Sequence, residues 1–228
     1  MEAKNILNGK ECVLFENLDD AKKRLISETR TLVHLKKGEC LFSEGGSPTG
    51  VYCVHFGHLK GVKTGKDGKE QIIYLAKPGD LVGWQQVGCE DPYTTTTIAL
   101  DKAIVSHIPK AIFLEATKDS PLSAAFARYI CDDVIMLESK VLELSQKSVK
   151  ERLVSNIVLL QEKYGENKDD TVLITIPLSR EDYANLVGTN TETAIKMLSE
   201  LRKEGYIDFI DKKILILNLN HLKRVAGL

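Results

Sequence analysis

The chain has no surplus of charge of either sign: across 228 residues, 31 lysines and arginines meet 32 aspartates and glutamates, a net charge of −1. That balance argues against a protein that coats nucleic acid by bulk electrostatics, where affinity scales with the cations that displace counterions. No apolar run approaches the ~18 residues of a membrane span, and the opening MEAKNILNGKE holds no apolar stretch of a secretory signal. A cytoplasmic protein with no membrane contact is therefore expected. Five cysteines, Cys12, Cys40, Cys53, Cys89 and Cys131, occur without a CxxC pair, so most of them are expected to be buried thiols in a reducing compartment. Hydrophobic residues at 43% and charged residues at 28% are those of a globular chain, long enough for two modest domains with their own cores.

What is present is concentrated in residues 178–206, LSREDYANLVGTNTETAIKMLSELRKEGY. Ser179 stands where an N-cap belongs, with Asp182 three residues on to answer it, before the apolar Tyr183, Ala184, Leu186 and Val187. Gly188 permits φ > 0 and ends that helix; Asn190 then caps a second one. Ala194, Met197, Leu198 and Leu201 recur at i, i+3, i+4 and i+7, which buries one face and leaves Thr191, Glu192, Ile195, Lys196 and Ser199 on the other. A helix held this way by a fixed partner fits a DNA major groove. An αα-hairpin inside an ordinary bundle is the alternative. The strands that follow count against it. Tyr206–Ile210, the turn Asp211-Lys212-Lys213 and Ile214–Leu217 read as a β-hairpin, and a helix-turn-helix followed by a hairpin is a winged helix. Lys212 and Lys213 would lie near phosphates, adding affinity without sequence information.

The front of the chain has another texture. From about residue 30 to 115, short runs such as Val51-Tyr52-Cys53-Val54, Ile72-Ile73-Tyr74-Leu75 and Ala103-Ile104-Val105 alternate with glycines, among them a hairpin turn at Gly65-Lys66-Asp67-Gly68. Strands so spaced predict a small antiparallel barrel or jelly roll. A long helix follows, free of proline and glycine from 122 to 163. Ile130, Val134, Leu137, Val141 and Leu144 repeat at spacings of 4, 3, 4 and 3, a heptad seam that begins near Phe126. The seam predicts pairing with a second copy, the alternative being packing on the chain's own barrel. A dimer would set two recognition helices one DNA turn, ~34 Å, apart on a near-palindromic site.

Barrel, long helix and winged helix in this order resemble the Crp/Fnr family of bacterial transcription regulators over nearly the whole chain. The likeness is strongest at Leu144–Leu153, similar to the family's hinge and first DNA-domain helix, and at residues 178–206; Lys77-Pro78-Gly79-Asp80-Leu81-Val82-Gly83 looks like the start of its phosphate-binding cassette. The resemblance implies an α+β fold: an antiparallel β-roll or jelly-roll barrel over residues 1–120, a dimerisation helix over 121–147 and a winged helix-turn-helix over 148–228. It implies a homodimeric DNA-binding transcription regulator, not an enzyme, that contacts RNA polymerase or blocks it. Thr191, Glu192 and Lys196 match its base-reading positions; Thr191 and Lys196 depart from the arginines often found there. Glu192 can accept from cytosine N4, Lys196 can donate to guanine or a phosphate, and Ile195 can touch a thymine methyl. Ser179, Arg180 and Thr189, with Asn190 at the helix start, suit the sugar-phosphate backbone.

The signal is less legible. Cyclic-nucleotide-binding relatives grip the phosphate with an arginine, but this chain has none between Arg30 and Arg128, and Asp80 replaces a glutamate. That argues against cyclic AMP in the usual mode. The scattered cysteines argue against an iron–sulfur cluster, and Gly83-Trp84-Gln85 offers no haem ligand. Cys53, His55 and His58 form a weak cupin-like metal pattern without a carboxylate, so no cofactor or metal is assigned. A pocket between barrel and long helix is expected from Tyr74, Asp80, Trp84, Gln85, Tyr93 and Thr94 with Arg128, Asp132 and Met136, for an unidentified small effector. That these residues simply pack is the alternative. Two rival functions remain open: a small-molecule sensor acting through protein contacts instead of DNA, and a cupin-like metal-dependent enzyme.

Overall fold

The computed structural model describes residues 12, 18–89, 91–118 and 121–227, without the side chains of residues 121, 122, 125, 126 and 129. The chain divides into two compact units, Met1–Val134 and Ile135–Leu228. The division falls inside the long helix.

The first unit is a jelly roll. Its strands are β1 (Thr31–Leu35), β2 (Cys40–Phe42), β3 (Gly50–Phe56), β4 (Leu59–Thr64), β5 (Glu70–Ala76), β6 (Leu81–Val82), β7 (Thr96–Ala99) and β8 (Ala103–Pro109). They pair as two antiparallel four-stranded sheets, β1-β8-β3-β6 and β2-β7-β4-β5. The β4–β5 connection turns at Gly68 in a left-handed conformation (φ 78°), where a side chain would be strained. Between the sheets lies an inner core of Leu35, Phe42, Tyr52, Val54, Leu59, Val82, Tyr93 and Val105. A second apolar layer contains Val51, Cys53, Leu81, Trp84, Ile108 and Phe113. It forms where α1 (Asp20–Thr29), α2 (Trp84–Cys89) and α3 (Lys110–Thr117) cover the outer face of the first sheet. Because both faces of β3 are covered, Val51, Tyr52, Cys53 and Val54 are all buried and the strand reads as a continuous apolar run instead of an alternation.

The helix α4 runs from Pro121 to Gln146. Its seam residues Ile130, Val134, Leu137, Val141 and Leu144 are between 41% and 67% exposed, an apolar stripe without a cover in the single chain. The side chain of Phe126, the expected start of that stripe, lies outside the described residues. Among the described residues no helix is long and apolar enough to cross a membrane.

In the second unit α5 (Val149–Tyr164) starts at a capping box between Ser148 and Glu151, and the hydrogen bonds from Ser148 hold the Glu151 carboxyl below its usual pKa. It buries Leu153, Val154, Ile157, Val158 and Leu160. Then come α6 (Arg180–Val187), α7 (Thr191–Lys203) and a four-stranded antiparallel sheet. The expected hairpin is present as β11 (Ile207–Ile210) and β12 (Lys213–Ile216), turning at Asp211 with φ 56°. The other two strands, β9 (Gly165–Lys168) and β10 (Thr171–Ile174), double the sheet, and α8 (Leu219–Ala226) closes the unit by packing on α5.

Gly188 has φ 68° and ends α6, its N–H bonding Ala184 O. Gly188→Ala should lower the stability of the second unit by about 1–2 kcal/mol, the cost of a left-handed conformation with a Cβ. Thermal unfolding of the variant checks this; an unchanged melting temperature would show that the turn relaxes without cost.

Candidate nucleic-acid interface

Ser179, Gly188 and Asn190 act as the sequence predicts. Ser179 N and Oγ donate to Asp182 Oδ2 at 2.8 and 2.7 Å, while Asp182 N donates back to Ser179 Oγ at 3.1 Å. Asp182 is buried by this exchange. The Ser179 hydroxyl proton is thus engaged within the cap, and what the start of α6 offers an anion is its backbone N–H groups. Asn190 Oδ1 accepts from Thr193 N at 2.8 Å and opens α7. Ala194, Leu198 and Leu201 are at most 1% exposed; burying the two leucines contributes roughly 1.5–3 kcal/mol each and fixes the roll of the helix. Met197, expected on the same face, is only half-buried.

The opposite face is open. Glu192, Ile195, Lys196 and Ser199 are exposed, and Thr191 and Thr189 are half-buried beside them. Among the described residues the side chains of Glu192 and Lys196 engage in no hydrogen bond or ion pair. Three or four residues apart, Glu192, Ile195, Lys196 and Ser199 share one helical stripe. Ser199 Oγ bonds back to Ile195 O at 2.8 Å, which leaves the longer Glu192 and Lys196 as the reaching groups.

The wing is tied to this helix pair by an arginine that the sequence assigns to phosphate. The Arg180 guanidinium lies 3.8 Å from the centre of the Phe209 ring, and desolvation there lowers its pKa. A stacked guanidinium of this kind contributes about 0.5–2 kcal/mol, so Arg180 positions the wing before it meets any phosphate. Arg202 pairs with Asp208 at 2.7 Å on the same strand. At the wing tip Lys212 is exposed and Lys213 half-buried.

The hinge contains a residue the sequence did not single out. Arg152 Nη1 donates to Lys147 O at 2.9 Å and its Nε to Val187 O at 3.0 Å. One guanidinium therefore satisfies carbonyls at the end of α4 and at the end of α6, joining the hinge to the helix-turn-helix turn. Lys147 in turn donates from Nζ to Glu143 Oε1 at 2.7 Å and Ser155 Oγ at 2.8 Å. The only sequence signal was the hinge-like segment Leu144–Leu153, without the geometry.

Of the nine residues expected to line one effector pocket, the eight in the first unit do not converge. Tyr74 and Tyr93 belong to the inner core, with Tyr93 stacked on Phe42 at 3.9 Å and Tyr74 bonded to Thr97. Trp84 is turned into the outer layer, on the other side of the sheet, because β6 leads into α2 there. Gln85 and Thr94 are exposed, and Asp80 Oδ2 accepts from Lys77 N at 2.9 Å within its own turn. Arg128 and Asp132 are exposed on α4, and Met136 lies past the division between the units.

These positions also test the sensing groups known for folds of this kind. With Asp80 closing its own turn and no arginine in the segment, a cyclic phosphate has no guanidinium to meet, so the site does not fit a cyclic nucleotide in its usual mode. Cys12 and Cys53 are buried, whereas Cys40, Cys89 and Cys131 are exposed, and among the described residues no three His, Cys, Asp or Glu side chains are grouped for a metal ion. That distribution does not fit a cluster held by four thiolates. His55 bonds Ser106 at 2.9 Å and His58 pairs with Asp101 at 2.8 Å, so the two histidines of the cupin-like pattern serve separate local contacts.

A jelly-roll unit followed by a long helix and a winged helix-turn-helix is the architecture of a DNA-binding transcription regulator. Residues 32–120 match the cyclic nucleotide-binding domain and residues 151–225 the Crp-like helix-turn-helix domain. The chain is 27% identical over 222 residues to an anaerobic regulatory protein of Haemophilus influenzae, covering 97% of this chain and 82% of that protein. It is 26% identical, over 97% of its length and 84% of the relative's, to the fumarate and nitrate reduction regulatory protein of Escherichia coli. The structure of FixK2 from Bradyrhizobium japonicum shares the fold, with a TM-score of 0.76 at 21% identity over 86% of this chain and 96% of that one. The chain belongs to the Crp/Fnr family of transcription regulators. Its relatives are regulators, not enzymes.

Arg152→Met should leave the carbonyls of Lys147 and Val187 without their partner and cost about 1–3 kcal/mol. The expected result is a lower unfolding midpoint together with weaker DNA binding at every sequence; full stability in the variant would remove Arg152 from the hinge account.

Proposed function

We propose that the protein acts as a homodimer on a near-palindromic DNA site, with α7 of each copy in successive major grooves. The observation that carries this reading is the open stripe of Glu192, Ile195 and Lys196 on a helix whose other face is fixed by Ala194, Leu198 and Leu201. Glu192 reads cytosine N4, Lys196 reads guanine or a phosphate, and Ile195 meets a thymine methyl. Thr191 stands with Glu192 and Lys196 at the base-reading positions, while Thr189 and Asn190 approach the backbone at the start of α7, joined by Ser179 and Arg180 at the start of α6 and by Lys212 and Lys213 at the wing. Near-zero net charge makes base contacts and dimerisation weigh more than counterion release.

The dimer forms along α4 through Phe126, Ile130, Val134, Leu137, Val141 and Leu144. Support comes from the heptad spacing and from the exposure of the last five, since apolar stripes of this length on isolated chains mark an interface. The effector, in this reading, is a small molecule held by the β-roll. It shifts activity only by binding one disposition of the two recognition helices more tightly than the other. RNA polymerase is the protein partner, contacted or obstructed at the promoter.

Glu192→Ala should flatten discrimination between duplexes that differ at the contacted base by roughly 1–3 kcal/mol, while weak binding to unrelated sequence persists. Gel shifts over a series of variant duplexes measure it, and an unchanged rank order would take Glu192 out of base reading. Val141→Asp places a charge in the centre of the seam and should yield monomers by sedimentation with loss of the sequence-selective shift. A dimer that survives the change would move the interface elsewhere.

A further inference from the structure

We propose that the first unit carries a small-oxyanion site between α1 and the β3–β8 ladder, on the outer face of the sheet and apart from the Tyr74 and Tyr93 region of the inner core. Alternation along β3 sends Cys53 and His55 to that outer face, and the ladder sets Ser106 opposite Cys53. Over them lies α1, and Lys23, Ser27 and Arg30 at i, i+4 and i+7 present one side of its axis. Together with Cys12 and Ile26 these six residues line a cavity of about 50 Å³.

The charges of that wall point to an anion. Arg24 on the opposite side of α1 pairs with Glu28 at 3.7 Å, and Lys22 donates to Lys118 O at 3.3 Å. Lys23 and Arg30 are half-buried against the cavity instead, and among the described residues their side chains have no hydrogen bond or ion pair. No carboxylate is found among the described residues that line the space. Two cations that line one small, partly open cleft, with no carboxylate among its described lining residues, favour an anion between them. A planar guanidinium holds a carboxylate or phosphate through two parallel hydrogen bonds, and an ammonium adds a further donor. His55 and Ser106, a buried polar pair with His55 Nε2 and Ser106 Oγ 2.9 Å apart, line the same space.

Size narrows the ligand class. Each water-sized group needs ~10–15 Å³ of such space, so the cavity holds roughly three to five non-hydrogen atoms. That admits nitrate, acetate or inorganic phosphate and excludes a nucleotide. The shared chemistry is a compact oxyanion, planar or tetrahedral.

Isothermal titration of the full-length protein with sodium phosphate, sodium nitrate and sodium acetate, at ionic strength held constant with chloride, tests the proposal. At least one of the three should bind saturably with one anion per chain, and the preference among them assigns tetrahedral or planar geometry. Lys23→Met and Arg30→Gln should each weaken binding by roughly tenfold or more, the effect of losing one charge-assisted hydrogen bond. Arg24→Gln, on the outward side of the same helix, should leave it unchanged, and Arg30→Lys should restore part of what Arg30→Gln loses. Circular dichroism confirms folding, and should Arg30→Gln prove unstable, Lys23→Met decides alone. No saturable heat with any of the anions, or binding that Arg24→Gln weakens as much as Lys23→Met, overturns the site.

Discussion

The recognition surface depends on one packing constraint: α7 is held by a strip of small and branched side chains with almost no freedom to roll. Ala194, Leu198 and Leu201 are sealed against the rest of the second unit, which fixes where Glu192, Ile195 and Lys196 point. Direct readout of a base edge tolerates little error in that direction, because the hydrogen-bond pattern of the groove is matched atom by atom. Every other feature of the unit supports the roll. The Ser179–Asp182 box and the left-handed Gly188 set the angle between α6 and α7, and the Arg180–Phe209 stack holds the wing beside them. Arg152 ties the turn to the end of α4 through one guanidinium.

In this half of the chain, residues carried most of the answer before any coordinate did. N-caps, a glycine stop and an i, i+3, i+4, i+7 pattern are local signals, and all appear where the sequence places them except that Met197 is only half-buried. Less legible were contacts that depend on distant partners. The stacking of Arg180 under Phe209 joins residues far apart in sequence, and nothing in their spacing announces it. Strand β9, Gly165–Lys168, has no apolar alternation because it is an exposed edge, so pattern alone cannot find it. The terminal helix α8 was likewise missed, although its Asn218 cap and Leu222 and Ala226 on one face supply a signal.

The sensor half shows the opposite balance. Strand-like runs and glycines sufficed for a barrel, and the two sheets have the jelly-roll order. Which face of each strand a residue would meet was not legible, because β3 is covered on both sides and its apolar run has no period. Trp84 illustrates the consequence: next to the Lys77–Gly83 segment it looks like a pocket residue, yet it is packed in the outer layer with Val87 and Phe113. The same two-sided burial creates the cleft under α1, where alternation puts Cys53 and His55 opposite the face that the sequence pointed to.

The most direct test of a helix poised to read bases is in vitro selection of random duplexes by the purified protein over a range of salt concentrations. The account predicts enrichment of a near-palindromic sequence whose half-sites lie about one helical turn apart, ~34 Å, with the preference surviving as salt rises and overall affinity falls. Recovery of unrelated sequences at every salt concentration would contradict it.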